Sequence, residues 1–76
     1  MIHVRDEKYL KQFGKYLKKL REERNMSQEF LANKSDVALA QITRIERGVI
    51  NPTICTIKAL AFGLEVKTSE MFEFEN

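Results

Sequence analysis

The sequence is short of everything that would hold a small chain together other than packing and hydrogen bonding. It has one cysteine, Cys55, so no disulfide can close within it, and the reducing cytoplasm is the simplest compartment for it. One proline, three glycines and no tryptophan leave room for long periodic segments and argue against the many short turns of an all-β fold. No apolar run approaches the roughly 20 residues of a membrane span, and Met1 to Asp6 lacks the apolar stretch of a signal peptide. Catalytic constellations are missing too. His3 is the sole histidine and is expected in a mobile tail, and Cys55 has no sequence-adjacent partner. No metal-ligand spacing, glycine-rich phosphate loop or Ser/His/Asp set occurs. An enzyme, a metal site and a cofactor are therefore not expected.

What is present is ordinary in amount and uneven in arrangement. The 76 residues suffice for one domain, which at this size buries only about 60–65 % of the surface its unfolded chain exposes. Net charge is +2, which alone says little about nucleic acid. Its distribution says more: residues 1–24 hold eight Lys/Arg against four Asp/Glu, residues 25–50 three of each, and residues 51–76 two against four. The basic end is placed to meet phosphates and the acidic end to turn away. Taken singly, Lys11, Lys15, Lys18 and Lys19 are equally well explained as the solvated face of a helix.

Hydrophobic spacing gives an all-α reading. Leu10, Phe13, Leu17 and Leu20 line one face of a helix from about Tyr9 to Arg24. Asn25 tolerates the left-handed turn that would end it. Ser27 reads as the N-cap of a short helix, about Gln28 to Lys34, with Leu31 and Ala32 facing inward. Asp36 falls at a sharp turn. Val37, Ile42 and Ile45 form the apolar stripe of a third helix, about Leu39 to Arg47, and Gly48 suits the position just past its end. Asn51-Pro52 marks a loop, and Thr53 caps a fourth helix, about Ile54 to Phe62, with Ile54, Ile57, Leu60, Ala61 and Leu64 at helical spacing. A last turn or two, about Ser69 to Phe72, packs Val66, Met71 and Phe72 inward. The expected organisation is an N-terminal extension over 1–8, a domain over 9–73 and a tail over 74–76.

The informative stretch is Ser27 to Pro52: short helix, tight turn, short helix. In it, "SQEFLA", "ITRIERG" and "NPT" occur in order, flanked by "FGKYLKKLREERN" and "IKALAFGLEVKTSEMF". These segments resemble the Cro/C1-repressor type of helix-turn-helix domain, the XRE family, over about Phe13 to Phe72. The resemblance implies a compact five-helix lambda-repressor-like fold whose third helix enters the major groove of double-stranded DNA. Elementary geometry agrees. A nine-residue helix spans about 13 Å, which suits a groove about 12 Å wide.

With Ile42 and Ile45 turned to the core, Leu39, Ala40, Thr43, Arg44 and Arg47 lie on the other side, with Ala38 at the helix start. Arg44 can bond a guanine bidentately or pair with a neighbour. Thr43 can touch a base, a thymine methyl or a phosphate, and Arg47 suits a phosphate. The resemblance implies that Gln28, opening the second helix, bonds the DNA backbone, and a helix N-terminus favours an anion there. Asn51 holds a second phosphate by the same logic. It also implies an ion pair between Arg21 and Glu46, with Glu46 structural rather than catalytic.

Several residues depart from the family pattern. Leu39 and Ala40 stand where polar residues are usual, so they can pack on thymine methyls but form no side-chain hydrogen bond. Ala38 replaces a capping serine, and Phe30 breaks the capping box that Ser27 would complete. Phe30, Phe62 and Cys55 imply either a repacked core or a patch for a second subunit. Family members usually dimerise, and Phe62, Leu64, Met71, Phe72 and Phe74 are the expected apolar contact. The function expected is a transcriptional regulator, a repressor or activator that binds an inverted-repeat operator as a homodimer. A toxin-binding antitoxin is the nearest variant, and a protein-interaction module without DNA is the rival.

Overall fold

The computed structural model describes residues 4–75; His3 lies outside them. Its elements are α1 (Glu7–Glu23), α2 (Gln28–Ser35), α3 (Leu39–Glu46), α4 (Ile54–Leu64) and a C-terminal 3-10 helix (Thr68–Glu75). Among the described residues there is no strand. No helix there is long and apolar enough to cross a membrane.

Local chemistry accounts for each boundary. Ser27 Oγ accepts from the Phe30 amide at 3.0 Å and Thr53 Oγ1 from the Thr56 amide at 3.2 Å, so both capping expectations hold. Asn25, Asp36 and Gly48 adopt the left-handed turns expected of them, with φ of 55°, 58° and 74°. Gly48 is also needed for space: a Cβ there would lie 2.8 Å from Lys11 Cα.

Three boundaries differ from the periodicity, α4 running two residues past the expected Phe62 to Leu64. α1 begins at Glu7 because Asp6 Oδ1 accepts from the Tyr9 amide at 3.0 Å, which draws Glu7 and Lys8 into the helix. The last element runs on to Glu75 because Phe74 stacks among Tyr9, Phe13 and Tyr16, with ring centroids 5.3 to 6.2 Å apart. Tyr9 also donates to Glu75 Oε2 at 2.6 Å, and this bond to a carboxylate is the main reason its phenol pKa is pushed up to about 12.

The core is one cluster. Leu17 of α1, Leu31 of α2, Ile42 and Ile45 of α3, Leu60 and Leu64 of α4 and Met71 of the 3-10 helix are fully buried in it. α2 packs on α4, and α1 packs on α3. Glycines set both crossings. A Cβ on Gly63 would lie 2.9 Å from Leu31 Cδ1 and from Ser35 Cβ. A Cβ on Gly14 would meet the Ile45 carbonyl oxygen and lie 2.6 Å from that of Glu46. Arg24 ties the far end, with Nε donating to the Leu64 carbonyl at 3.0 Å and Nη1 to that of Leu20 at 2.9 Å.

One correction falls on the inward list, another on the expected subunit surface, and exposure decides between the two readings of Phe30 and Phe62. Ile54, the first residue of α4, is 82 % exposed, because it precedes the first contact of that helix with the core. Leu64 and Met71, read both as inward-facing and as part of a subunit surface, are 1 % and 0 % exposed, which bears out the first reading and removes them from the second. Phe30 and Phe62 are exposed, so repacking of the core does not explain them.

Candidate nucleic-acid interface

α2 and α3 form the helix-turn-helix, and the turn between them is closed by two devices. Asp36 takes the left-handed conformation, and the Val37 amide donates to the Ala32 carbonyl at 3.2 Å. Val37 is then buried, which aims α3 across α2. α3 starts at Ala38 with no side-chain cap, as expected; the Ala38 carbonyl accepts from Gln41 and Ile42 at 3.0 and 3.1 Å.

Burial of Ile42 and Ile45 orients the rest of α3. Ala38, Leu39, Ala40, Arg44 and Arg47 are exposed, Thr43 is half-buried beside them, and Asn51 is exposed in the loop that follows. The non-core side of α3 is therefore open. Among the described residues the ion pairs are Arg5–Glu7, Arg21–Glu46 and Lys34–Glu65, so neither Arg44 nor Arg47 has an acidic partner. Two uncompensated guanidinium groups on one face of an open helix make an anion-seeking surface.

Lys8, Lys11 and Lys15 follow helical spacing along one side of α1 and line one groove there. Lys11 lies against Gly48 at the end of α3, and Arg5 donates to the Val49 carbonyl at 3.0 Å. Further along, Lys15 and Lys19 flank Tyr16 and Phe74. Of these basic residues, Arg5 and Lys11 touch the segment that closes α3.

Behind the open face runs a polar chain. Arg21 Nε and Nη2 donate to the two Glu46 oxygens at 2.7 and 3.0 Å, and Nη1 donates to the Met26 carbonyl at 2.8 Å. The side chains are only 10 % and 4 % exposed. The hydrogen bond to Glu46 holds the Arg21 pKa above its already high ordinary value. The pair expected from the resemblance is present and fork-to-fork.

Gln28 extends the chain in a way its position in sequence did not suggest. It is half-buried, its Nε2 donates to Glu46 Oε1 at 2.9 Å, and its Oε1 accepts from Thr43 Oγ1 at 3.0 Å. Four side chains on three helices are thereby joined. The spacing of Gln28, Thr43 and Glu46 carries no signal of this. Gly14 was also missed, although a glycine inside a helical pattern costs about 1 kcal/mol against alanine and so asks for a packing reason.

A family model described as helix-turn-helix matches residues 17–71. Solved structures agree over more of the chain. The restriction-modification controller protein C.AhdI from Aeromonas hydrophila is 34 % identical with a TM-score of 0.84, over 86 % of this chain and 98 % of that one. An HTH_3 family transcriptional regulator from Vibrio cholerae is 36 % identical with a TM-score of 0.85, over 91 % of this chain and 39 % of that one. The controller protein C.Esp1396I, solved as a tetramer with its natural 35 base-pair operator, is 39 % identical with a TM-score of 0.78, over 84 % of each chain. No curated protein matches.

Proposed function

This chain belongs to the helix-turn-helix family of DNA-binding transcription regulators, and we propose on that premise that α3 is its recognition helix, laid in the major groove of an operator. The observation that carries this is the open side of α3, with Arg44 and Arg47 exposed and unpaired. Arg44 reads a base, Arg47 and Asn51 hold phosphates, and Leu39 and Ala40 pack on thymine methyl groups. Gln28 keeps one amide proton free for a phosphate. The chain acts by binding, not by catalysis, and works in the cytoplasm. C.Esp1396I forms a tetramer on its operator, which supports operator DNA and further copies of this chain as the partners here, and nothing supports a toxin.

Selection of bound sequences from a random duplex pool, at two salt concentrations, tests the reading. Wild-type protein should enrich one motif, and its affinity should fall steeply with salt as phosphate contacts release counterions. Arg44→Ala is expected to cost about 1–3 kcal/mol and relax one base position. Gln28→Ala should weaken all sequences alike. Unchanged affinity and unchanged preference in Arg44→Ala would remove its assigned role.

Dimerisation is proposed through α4. Ile54 and Phe62 sit two turns apart, 82 % and 74 % exposed, with Cys55 exposed beside them. Phe72 and Phe74, also expected there, are half-buried and stack on the α1 rings instead. Two such faces meeting across a two-fold axis would match an inverted-repeat operator with half-sites about 34 Å apart. Phe62→Glu should leave the fold intact, since the ring lies outside the core, and shift sedimentation at micromolar concentration to monomer. A wild-type protein that is monomeric both with and without operator would rule the dimer out.

A further inference from the structure

We propose that Thr43 faces DNA as a hydrogen-bond acceptor only, and so selects a base amino group rather than a phosphate or a base carbonyl. This rests on α3 being the recognition helix and names what one of its side chains reads. The argument starts in the interior. Glu46 is a carboxylate clamped by the Arg21 guanidinium at 2.7 and 3.0 Å, and a carboxylate only accepts hydrogen bonds. The Gln28 amide, whose oxygen and nitrogen have nearly the same shape, must therefore turn its nitrogen to Glu46, at 2.9 Å. Its oxygen is left facing Thr43 Oγ1, at 3.0 Å. An amide oxygen also only accepts, so the hydroxyl must donate to it. The other neighbour of that hydroxyl, the Leu39 carbonyl at 3.1 Å, is an acceptor as well. A threonine hydroxyl has one proton, and both protein groups beside it claim that proton. Only lone pairs remain for the solvent side.

The surface of DNA then decides the partner. Phosphate oxygens, purine N7, guanine O6 and thymine O4 are all acceptors, and the major-groove donors are the amino groups at adenine N6 and cytosine N4. A phosphate contact by the Thr43 hydroxyl is excluded on polarity. Gln28 is the complement: one Nε2 proton goes to Glu46 and the second is free to donate. The buried Arg21–Glu46 pair thus sorts two adjacent side chains into a donor for the DNA backbone and an acceptor for a base.

The test is a cycle between one side chain and one base atom. Pool selection with wild type and with Thr43→Val, which keeps the shape and drops the hydroxyl, locates the base pair whose preference Thr43 sets. At that pair, duplexes are made lacking either the amino group (purine for adenine, 2-pyrimidinone for cytosine) or the carbonyl oxygen of the partner base. Wild type and Thr43→Ser should lose about fivefold in affinity on deletion of the amino group beyond the loss seen with Thr43→Val, the scale of one neutral hydrogen bond. Deletion of the carbonyl should affect all three proteins equally. Coupling of Thr43 to the carbonyl, coupling to neither atom, or a Thr43→Val pool identical to that of wild type would overturn the proposal while leaving the recognition helix in place. No duplex binding by wild type would overturn both.

Discussion

Glu46→Ala is expected to destabilise the domain by about 3–5 kcal/mol, because it strands the Arg21 charge in the interior. The Arg21 side chain is 10 % exposed and gives two of its donors to Glu46. No other carboxylate bonds it among the described residues. Gln28 loses its partner at the same stroke. At about 0.05–0.15 kcal/mol per residue, a chain of 76 residues has only about 4–11 kcal/mol in total, so the loss takes a large share of it. Urea denaturation followed by circular dichroism reads this directly. The double substitution Arg21→Met with Glu46→Leu should be less damaging than Glu46→Ala alone, since it removes both charges and leaves apolar surface in their place. A single-variant loss under about 1 kcal/mol would mean that water reaches the pair in solution.

Gly14→Ala should be the second large effect, and its sign is diagnostic. On an exposed helical site the change would stabilise by about 1 kcal/mol. Here the added Cβ meets the Ile45 carbonyl oxygen and would sit 2.6 Å from that of Glu46, both of them backbone atoms at the end of α3. α1 can make room only by lifting off α3, with Phe13 and Leu17 beside the site drawn from the core. Overpacking of this kind costs about 1–3 kcal/mol. A lower urea midpoint than wild type is expected; a higher one would show that the two helices are not held this close. Since the crossing also sets the direction of α3, a folded fraction of Gly14→Ala should bind duplex more weakly than wild type.

What could be read in advance was local. Ser27 and Thr53 cap because a hydroxyl next to a helix start needs no tertiary partner. Asn25, Asp36 and Gly48 turn because their own backbones permit it. The stripe of Val37, Ile42 and Ile45 was sufficient to say which side of α3 is free. What was hidden depends on pairs distant in sequence. Glu65 takes a left-handed φ of 60°, which its residue type does not favour, and its partner Lys34 comes from α2; that pairing holds the Glu65 carboxyl below the usual range. Spacing placed Leu64 and Met71 inward, but grouping them with Phe62 on a subunit surface failed, because the stacking of the 3-10 helix on α1 and α4 takes both into the interior and leaves Phe62 outside. The polarity of Gln28 and Thr43 is set by Arg21 on another helix, beyond the reach of spacing rules.

The most direct measurement follows backbone amide shifts of isotope-labelled protein as a selected duplex is added. If α3 lies in the groove, the largest changes fall on Leu39, Ala40, Thr43, Arg44 and Arg47, with Gln28 close behind. Shifts gathered on α1 or the 3-10 helix while α3 stays silent would contradict the account.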